Sequence, residues 1–329
     1  MSYRAFVVNK TADSFTADIE NLEEADLPQG EVTIRVEWSS VNYKDGLASS
    51  PGGRVVTKFP LTLGIDLAGT VTGSTDARFA AGDAVVAIGN DIGVAHPGGF
   101  AELARLPADW VCKLPAGLST KEAMALGTAG FTAAQSMEAI QKFGIGPDRG
   151  PVIVTGATGG VGSTAVSMLA GLGYTVAAST GKTSEHDYLR GLGASEILSR
   201  EDVNAESTRP LEAERWAAAV DPVGGATTAY LIRTTKRGGV VALSGLTGGG
   251  TVNTTVFPFI LRGVSVIGID SVTQDAAYRD HIWQRCATDL KPKGLLDSIA
   301  VETDLDGLPA AFEAIRGGKV RGRTLVRLA

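Results

Sequence analysis

The segment Gly156-Ala157-Thr158-Gly159-Gly160-Val161-Gly162 restricts the possible fold of this chain more than any other. It follows Pro151–Thr155 (PVIVT), a short apolar run that reads as a fully buried strand. After it, Val161, Ala165, Met168, Leu169 and Leu172 recur at helical spacing. A strand, a turn of small residues and a helix, in that order, let a pyrophosphate approach the backbone. The helix N-terminus offers the anion N–H groups that lack intrahelical partners, and about half a positive charge. Gly162 permits close packing of helix on strand. Glycines at 156, 159 and 162 depart from the common G-x-G-x-x-G spacing. A ligand-free tight turn of an α/β protein is the competing reading.

Beyond the turn, strand-like and helical stretches alternate. Thr175–Ala178, Glu196–Leu198, Trp216–Val220, Gly238–Ser244 and Val264–Ile269 read as strands. Ser184–Leu192 reads as a polar helix closed by Gly193, and another helix is expected to end in Lys236-Arg237-Gly238. This alternation predicts an α/β, doubly wound parallel sheet with right-handed crossovers. Ser119–Ser136 is rich in Ala, Met and Leu, and Ser119-Thr120-Lys121-Glu122 has the pattern of a capping box. Residues 1–122 have another texture, short strands broken by turns, as in Glu31–Val41, Leu61–Val71 and Phe79–Ile88. The tail after about residue 290 returns to short strands, including Gly322–Leu328. The expected domains are therefore 1–122 with 291–329, mostly β, and 123–290, the nucleotide-binding part.

The 329 residues suit two domains of about 150 each. Thirty Lys and Arg against 36 Asp and Glu leave a net charge of −6, with no basic run. Such a chain is a poor binder of nucleic acid or anionic membrane. Cys112 and Cys286 are too few and too far apart for a disulfide framework or a Cys-rich zinc site. No apolar window approaches the ~18 residues of a membrane span, and Met1–Ala5 shows no signal-peptide pattern. A cytoplasmic protein is expected.

The second strand of the α/β part bears on the choice of dinucleotide. NAD-binding units place Asp or Glu about 20 residues after the glycines, at that strand's tip. Here the tip reads Ala178-Ser179-Thr180-Gly181-Lys182 and carries no acid. Ser179 and Thr180 can donate hydrogen bonds to a 2′-phosphate, Lys182 can supply charge, and Arg200 can reach the same adenosine end. The expectation is NADPH rather than NADH. For Lys182 alone, a solvated surface lysine is the alternative.

Several segments together resemble the medium-chain dehydrogenase/reductase superfamily over essentially the whole chain. They are Val41-Asn42-Tyr43-Lys44-Asp45, Leu63–Val71 (LGIDLAGTV), Gly82–Val86 (GDAVV), Gly98–Glu102 (GGFAE), Gly127–Ala133 (GTAGFTA) and the Gly156–Gly162 turn. Within it, the chain resembles the zinc-free quinone-oxidoreductase branch, and most of all the acrylyl-CoA reductase group. Asn42–Gly46 (NYKDG), Ser179-Thr180-Gly181-Lys182 and Gly322–Val326 (GRTLV) point there. The resemblance implies a GroES-like catalytic domain, a Rossmann domain and a cleft between them. It implies a homodimer formed edge to edge through the last Rossmann strand, near Val264–Asp270. It also implies NADPH held by Tyr43, the Gly159-Gly160-Val161-Gly162 turn, Ser179, Thr180, Gly181, Lys182, Arg200, Leu246 and Ser271, the last two on loop position.

Zinc members of the superfamily carry a Cys in the segment matching Val41–Asp45 and a Gly-His-Glu matching Gly64-Ile65-Asp66; this chain has neither. His96, His186 and His281 show no metal-ligand spacing, and Asp66 alone reads as a structural acceptor. No metal is expected. Reduction of a polarised C=C needs less than a Lewis acid: hydride adds β to a carbonyl, and the enolate needs positioning and a few donors. Tyr43 is the candidate proton or hydrogen-bond donor, with packing on the nicotinamide as its alternative role. Asn42 either orients the carbonyl or caps a turn. Asp45 either pairs with Lys44, anchors the loop or acts as a base. Arg54 and Lys58 either contact CoA phosphates or belong to a solvated loop. The readings in order are an NADPH-dependent 2-enoyl-CoA reductase acting on acrylyl-CoA, an NADPH quinone or enone reductase, and a non-catalytic NADPH-binding protein.

Overall fold

A computed structural model describes residues 2–205 and 207–329. The chain opens with β1 (Ser2–Lys10), β2 (Phe15–Glu23), β3 (Val32–Val41) and a short helix α1 (Tyr43–Ala48). Five strands follow: β4 (Leu61–Thr62), β5 (Asp66–Ser74), β6 (Ala84–Ile88), β7 (Leu103–Leu106) and β8 (Val111–Lys113). Helix α2 (Thr120–Lys142) is broken at Gly127, where φ is 53° and ψ −159°. The alternating part runs β9 (Val152–Val154), α3 (Gly160–Gly171), β10 (Val176–Thr180), α4 (His186–Gly191) and β11 (Glu196–Ser199). It continues with β12 (Trp216–Asp221), α5 (Gly225–Thr234), β13 (Thr235–Leu243), α6 (Phe257–Arg262) and β14 (Ser265–Gly268). The chain ends with α7 (Ala276–Ala287), β15 (Ala300–Asp304), α8 (Leu308–Arg316) and β16 (Arg323–Arg327).

Backbone contacts divide the chain into two compact units. One holds the residues up to Thr128 with Ser271–Ala287 and Leu295–Ala329; the other holds Ala129–Asp270 and Thr288–Gly294. Residues 123–128 and 271–287, assigned to the nucleotide-binding part from sequence, thus pack with the β-rich unit.

In the β-rich unit, a sheet ordered β15-β16-β3-β5-β6-β8, with β7 also paired to β3, accompanies a small β2-β1-β4 sheet. Strand β16 runs antiparallel to β3 with Thr324 opposite Val41, which carries Arg323 to the start of α1. Strand β5 pairs β3 with Ala68 opposite Trp38, which brings Asp66 to the same place. Phe312 of α8 meets Phe6 edge-on at 5.4 Å between ring centroids and Phe100 at 5.7 Å, so α8 is part of this core. The sequence reading expects only short strands in this tail; α8 is a correction, made where Leu308 and Phe312 turn one helical face into the core.

In the second unit, six parallel strands run β11-β10-β9-β12-β13-β14. This is the doubly wound order, with its switch point between β9 and β12, where ligands bind outside the strands' carboxyl ends. Val154 lies level with Ala178 on one side and Val220 on the other, in a fully buried layer. The capping box at the start of α2 forms: the Glu122 carboxylate accepts from the Ser119 amide at 2.9 Å, and the Ser119 hydroxyl accepts from the Glu122 amide at 3.2 Å. One boundary differs. Lys236 and Arg237 belong to β13 and not to a helix end, because Thr235 already pairs with Trp216 of β12.

Candidate active site

At the carboxyl end of β9 the chain turns through Gly156, whose carbonyl accepts from the Gly159 amide at 2.9 Å, and enters α3. The Gly160, Val161 and Gly162 amides form the first turn of α3, where no earlier carbonyl of the helix can take them. Gly162 has no room for a side chain: a Cβ there would lie 2.4 Å from the Gly156 carbonyl oxygen and 2.7 Å from Ala157 Cα. The turn is tied to the next strand by the Ala157 amide, which donates to the Ser179 carbonyl at 3.0 Å.

The β10 tip brings two cations together and uses its hydroxyls within the fold. Arg200 lies over Gly181, with guanidinium atoms 3.0 Å from where a Cβ would be. Burial holds the Lys182 ammonium below its ordinary pKa, the Arg200 charge adding to the effect and Glu185 opposing it. Ser179 and Thr180 are buried. The Ser179 hydroxyl donates to the Ser199 carbonyl at 3.3 Å, and the Thr180 hydroxyl accepts from the Lys182 amide at 3.1 Å. Both hydroxyls therefore brace the tip, and the exposed face of the tip is cationic.

A residue outside the glycine turn anchors the opposite side of the switch point. Asp221, fully buried at the end of β12, accepts from the hydroxyls of Thr155 at 2.6 Å and Thr228 at 2.5 Å. It also accepts from the Val223 and Gly224 amides at 3.0 and 3.3 Å. This holds the Pro222–Gly225 loop, whose Val223 carbonyl takes the Gly248 amide at 2.7 Å and so fixes the glycine loop carrying Leu246. Leu246 is 70% exposed, high for an apolar side chain. A buried Asp after an apolar strand, followed by Pro-Val-Gly-Gly, is the sequence signal that was available. Ser271 packs in the other unit, its carbonyl against Gly89, where a Cβ would lie 2.8 Å away.

In the β-rich unit a buried ionic cluster forms around Asp66. Its carboxylate accepts from the Ser40 hydroxyl at 2.6 Å, the Asn42 amide side chain at 2.8 Å and the Thr128 backbone amide at 2.9 Å. The Thr128 hydroxyl also donates to it, and Arg323 Nη2 lies 3.4 Å away. Arg323 further donates to the Ser40 hydroxyl at 2.6 Å and the Asn42 side-chain oxygen at 3.1 Å. Both ends of the Asn42 side chain are thus consumed in holding the turn. Asp45 accepts from the Asn42 amide at 2.8 Å and the Ile65 amide at 3.1 Å, which makes it the loop's anchor. Burial, and then the Asp66 charge, push Asp45 up to about 7. Tyr43 begins α1 directly above this cluster in sequence, 45% exposed, with no hydrogen-bond partner for its hydroxyl among the described residues. Arg54 and Lys58 are exposed on the loop that follows.

Two family models match the chain: the alcohol dehydrogenase GroES-like domain over residues 28–116 and the zinc-binding dehydrogenase over 160–288. The acrylyl-CoA reductase AcuI of Ruegeria pomeroyi is 48% identical over 326 residues, 98% of each chain. The chain belongs to the medium-chain dehydrogenase/reductase superfamily. Within it, the chain falls in the group of the AcuI reductases and of YhfP from Bacillus subtilis, which bears a provisional quinone-oxidoreductase name. The crystal structure of YhfP with NAD bound matches at a TM-score of 0.97 and 49% identity, covering 100% of both chains. The yhdH oxidoreductase of Salmonella enterica in complex with NADP matches at 0.96 and 47%, covering 99% of this chain and 100% of that one.

One of the superfamily's models is named for zinc, and the described residues do not fit such an ion. The Asp66 carboxylate is saturated by donors and faces a guanidinium. Among the described residues, no group of three or more His, Cys, Asp or Glu side chains is placed to hold a metal. The nucleotide turn, by contrast, fits a phosphorylated dinucleotide: small residues, helix amides and a strand tip, Ala178–Lys182, that carries no acid of its own.

Proposed function

We propose that this chain is a metal-independent, NADPH-dependent reductase of activated C=C bonds, and that its substrate is a short 2-enoyl-CoA, acrylyl-CoA going to propionyl-CoA. The observation that carries the cofactor reading is the β10 tip, whose residues Ala178–Lys182 include no acid and where Arg200 lies against Gly181 beside Lys182. The substrate reading is supported by the 48% identity with AcuI over 98% of both chains.

When bound, NADPH supplies a hydride to the carbon β to the thioester carbonyl. The chain does the rest. The amides of Gly160, Val161 and Gly162, with Gly159 preceding them, take the pyrophosphate at the positive end of α3. Lys182 and Arg200 take the 2′-phosphate, against Ser179, Thr180 and Gly181, which shape the tip. Asp221 keeps the Pro222–Gly225 loop and the Leu246 loop in place, and Leu246 completes this unit's dinucleotide contacts. The substrate's C=C becomes C–C, its carbonyl oxygen carries enolate charge in passing, and a proton must reach the α carbon. The Tyr43 phenol stabilises that charge or delivers that proton. Asn42, Asp45, Asp66 and Arg323 hold the turn from which Tyr43 projects. Such cofactors and thioesters circulate in the cytoplasm, where we place the reaction.

The test is product analysis with NADPH deuterated at its transferable position. One deuterium on the β carbon of propionyl-CoA supports the reading; a thioester recovered unreduced overturns it. A quinone or enone reductase is the second reading, favoured by the likeness to YhfP.

We also propose a homodimer paired through β14. This strand is at the sheet's edge, and α6 beside it exposes Ile260 to 69% and Leu261 to 49%, with Val256 just before it at 62%. An exposed apolar helix next to an unpaired edge calls for a cover, and a second copy brings an identical edge. Light scattering should give twice the 33.9 kDa chain mass, and Ile260→Asp should give the monomer.

A further inference from the structure

We infer that two arginines of the C-terminal segment, Arg316 and Arg323, are positioning residues that clamp α1 at its two ends and so set where Tyr43 stands. The inference rests on the reading of Tyr43 as the side chain that meets the substrate.

Helix α1 has six residues, far fewer than an isolated helix needs to persist in water. Its geometry must come from outside itself. At its N-terminal end Arg323 Nη1 donates to the Val41 carbonyl at 3.1 Å and to the Asn42 side-chain oxygen at 3.1 Å, on the two residues before Tyr43. At its C-terminal end Arg316 Nη1 donates to the Gly46 carbonyl at 2.9 Å and to the Ser49 hydroxyl at 2.8 Å. A cation at that end also complements the helix dipole.

The two clamps share one rigid base. Helix α8 lies so close to α1 that a Cβ on Gly46 would meet Ile315 Cγ2 at 2.8 Å and Arg316 Cγ at 3.3 Å. Phe312 pins α8 between Phe6 and Phe100. Arg323 is immobile as well, 3% exposed and bonded to Ser40 and Asp66. Tyr43 has no side-chain hydrogen bond among the described residues, so its position depends on the α1 backbone, which these two cations hold together with the Asp45 anchor.

The clamps differ in how they can be tested. Removing Arg323 leaves Asp66 and Asp45 buried without their counter-ion, a loss that threatens folding itself. Arg316 is exposed and can be replaced without burying a charge. The experiment therefore measures Arg316→Ala and Arg316→Lys, alone and combined with Tyr43→Phe. Its readouts are kcat and KM with NADPH and acrylyl-CoA, NADPH affinity by fluorescence, and hydrogen exchange across residues 40–50.

The clamp predicts that Arg316→Ala raises amide exchange in α1 about tenfold or more while the Rossmann helices stay unchanged. It predicts a fall in kcat of about three- to tenfold with NADPH affinity held within about twofold, and partial recovery in Arg316→Lys. In the Tyr43→Phe background the same substitution should change kcat by less than about twofold, because its effect passes through Tyr43. Unchanged exchange in α1, or an equal loss of kcat in both backgrounds, overturns the clamp. Raised exchange together with full kcat in Tyr43→Phe leaves the clamp standing and removes Tyr43 from the chemistry.

Discussion

The guanidinium of Arg200 rests on the backbone of Gly181, three of its atoms 3.0 Å from the position a Cβ would take. With Lys182 it makes the β10 tip a two-cation surface, built on a Ser179 hydroxyl that donates within the fold and a Thr180 hydroxyl that accepts the Lys182 amide. Lys182→Ala and Arg200→Ala should each weaken NADPH more than NADH. A charge-assisted contact to a phosphate is worth ~1.5–3 kcal/mol, or about 10- to 150-fold in affinity. Fluorescence titration with both cofactors checks this. An equal loss for the two would show that neither side chain touches the 2′-phosphate.

Gly162→Ala should damage the nucleotide turn from within. The added Cβ would sit 2.4 Å from the Gly156 carbonyl oxygen, a backbone atom that cannot turn aside. Forcing a methyl group into a packed site costs ~1–3 kcal/mol. We expect a lower thermal midpoint and a loss of most of the stabilisation that NADPH confers. A variant that melts as the wild type does with NADPH present would contradict the packing described for this turn.

Asp221→Ala should act on the other side of the switch point. It strips the acceptor from two hydroxyls and two amides, and each buried donor left unsatisfied costs ~1–3 kcal/mol. Stability and NADPH affinity should fall together. If the variant is destabilised while affinity per folded molecule is unchanged, Asp221 serves the fold and not the site.

Asp45 gives a pH dependence with a definite sign. Its carboxyl rises from 3.8 in the unfolded chain to about 7 in the fold, through burial and then through the charge of Asp66. The native state therefore binds this proton more tightly than the unfolded state does. The stability it contributes is complete below the unfolded value and is lost as pH rises through about 7, at no more than about 1.4 kcal/mol per pH unit. Urea unfolding of wild type and Asp45→Asn between pH 4 and 8 should show the difference moving steadily in favour of the variant. A pH-independent difference would place the Asp45 carboxyl at an ordinary value.

Much of this was legible in the residues. The strand–glycine turn–helix order, the Ser119–Glu122 capping box and the missing acid after Ala178 each depend on neighbours in sequence, and local chemistry decides them. The buried cluster was not legible. Arg323 meets Asp66 from 257 positions away, and nothing near either residue announces the other. Helix α1 escaped for the same reason: six residues carry no period, and the arginines that hold it arrive with the tail. Lys236 and Arg237 look like a helix end, yet strand pairing begins at Thr235 and draws them into β13, a tertiary choice that overrides a local one. Ser179 and Thr180 end β10, and only the fold shows their hydroxyls bonded within it.

Tyr43→Phe tests the proposed donor. Loss of the phenol should lower kcat several-fold while NADPH binding is kept, since the hydroxyl has no structural partner to forfeit among the described residues. Unchanged kcat with a raised KM for NADPH would make Tyr43 a binding residue alone.

The most direct measurement is kcat/KM for acrylyl-CoA and for a simple quinone, each with NADPH and with NADH. The account predicts that NADPH is the better donor and acrylyl-CoA the better acceptor. A preference for the quinone of about tenfold or more, some 1.4 kcal/mol at the transition state, or turnover with NADH alone, would contradict it.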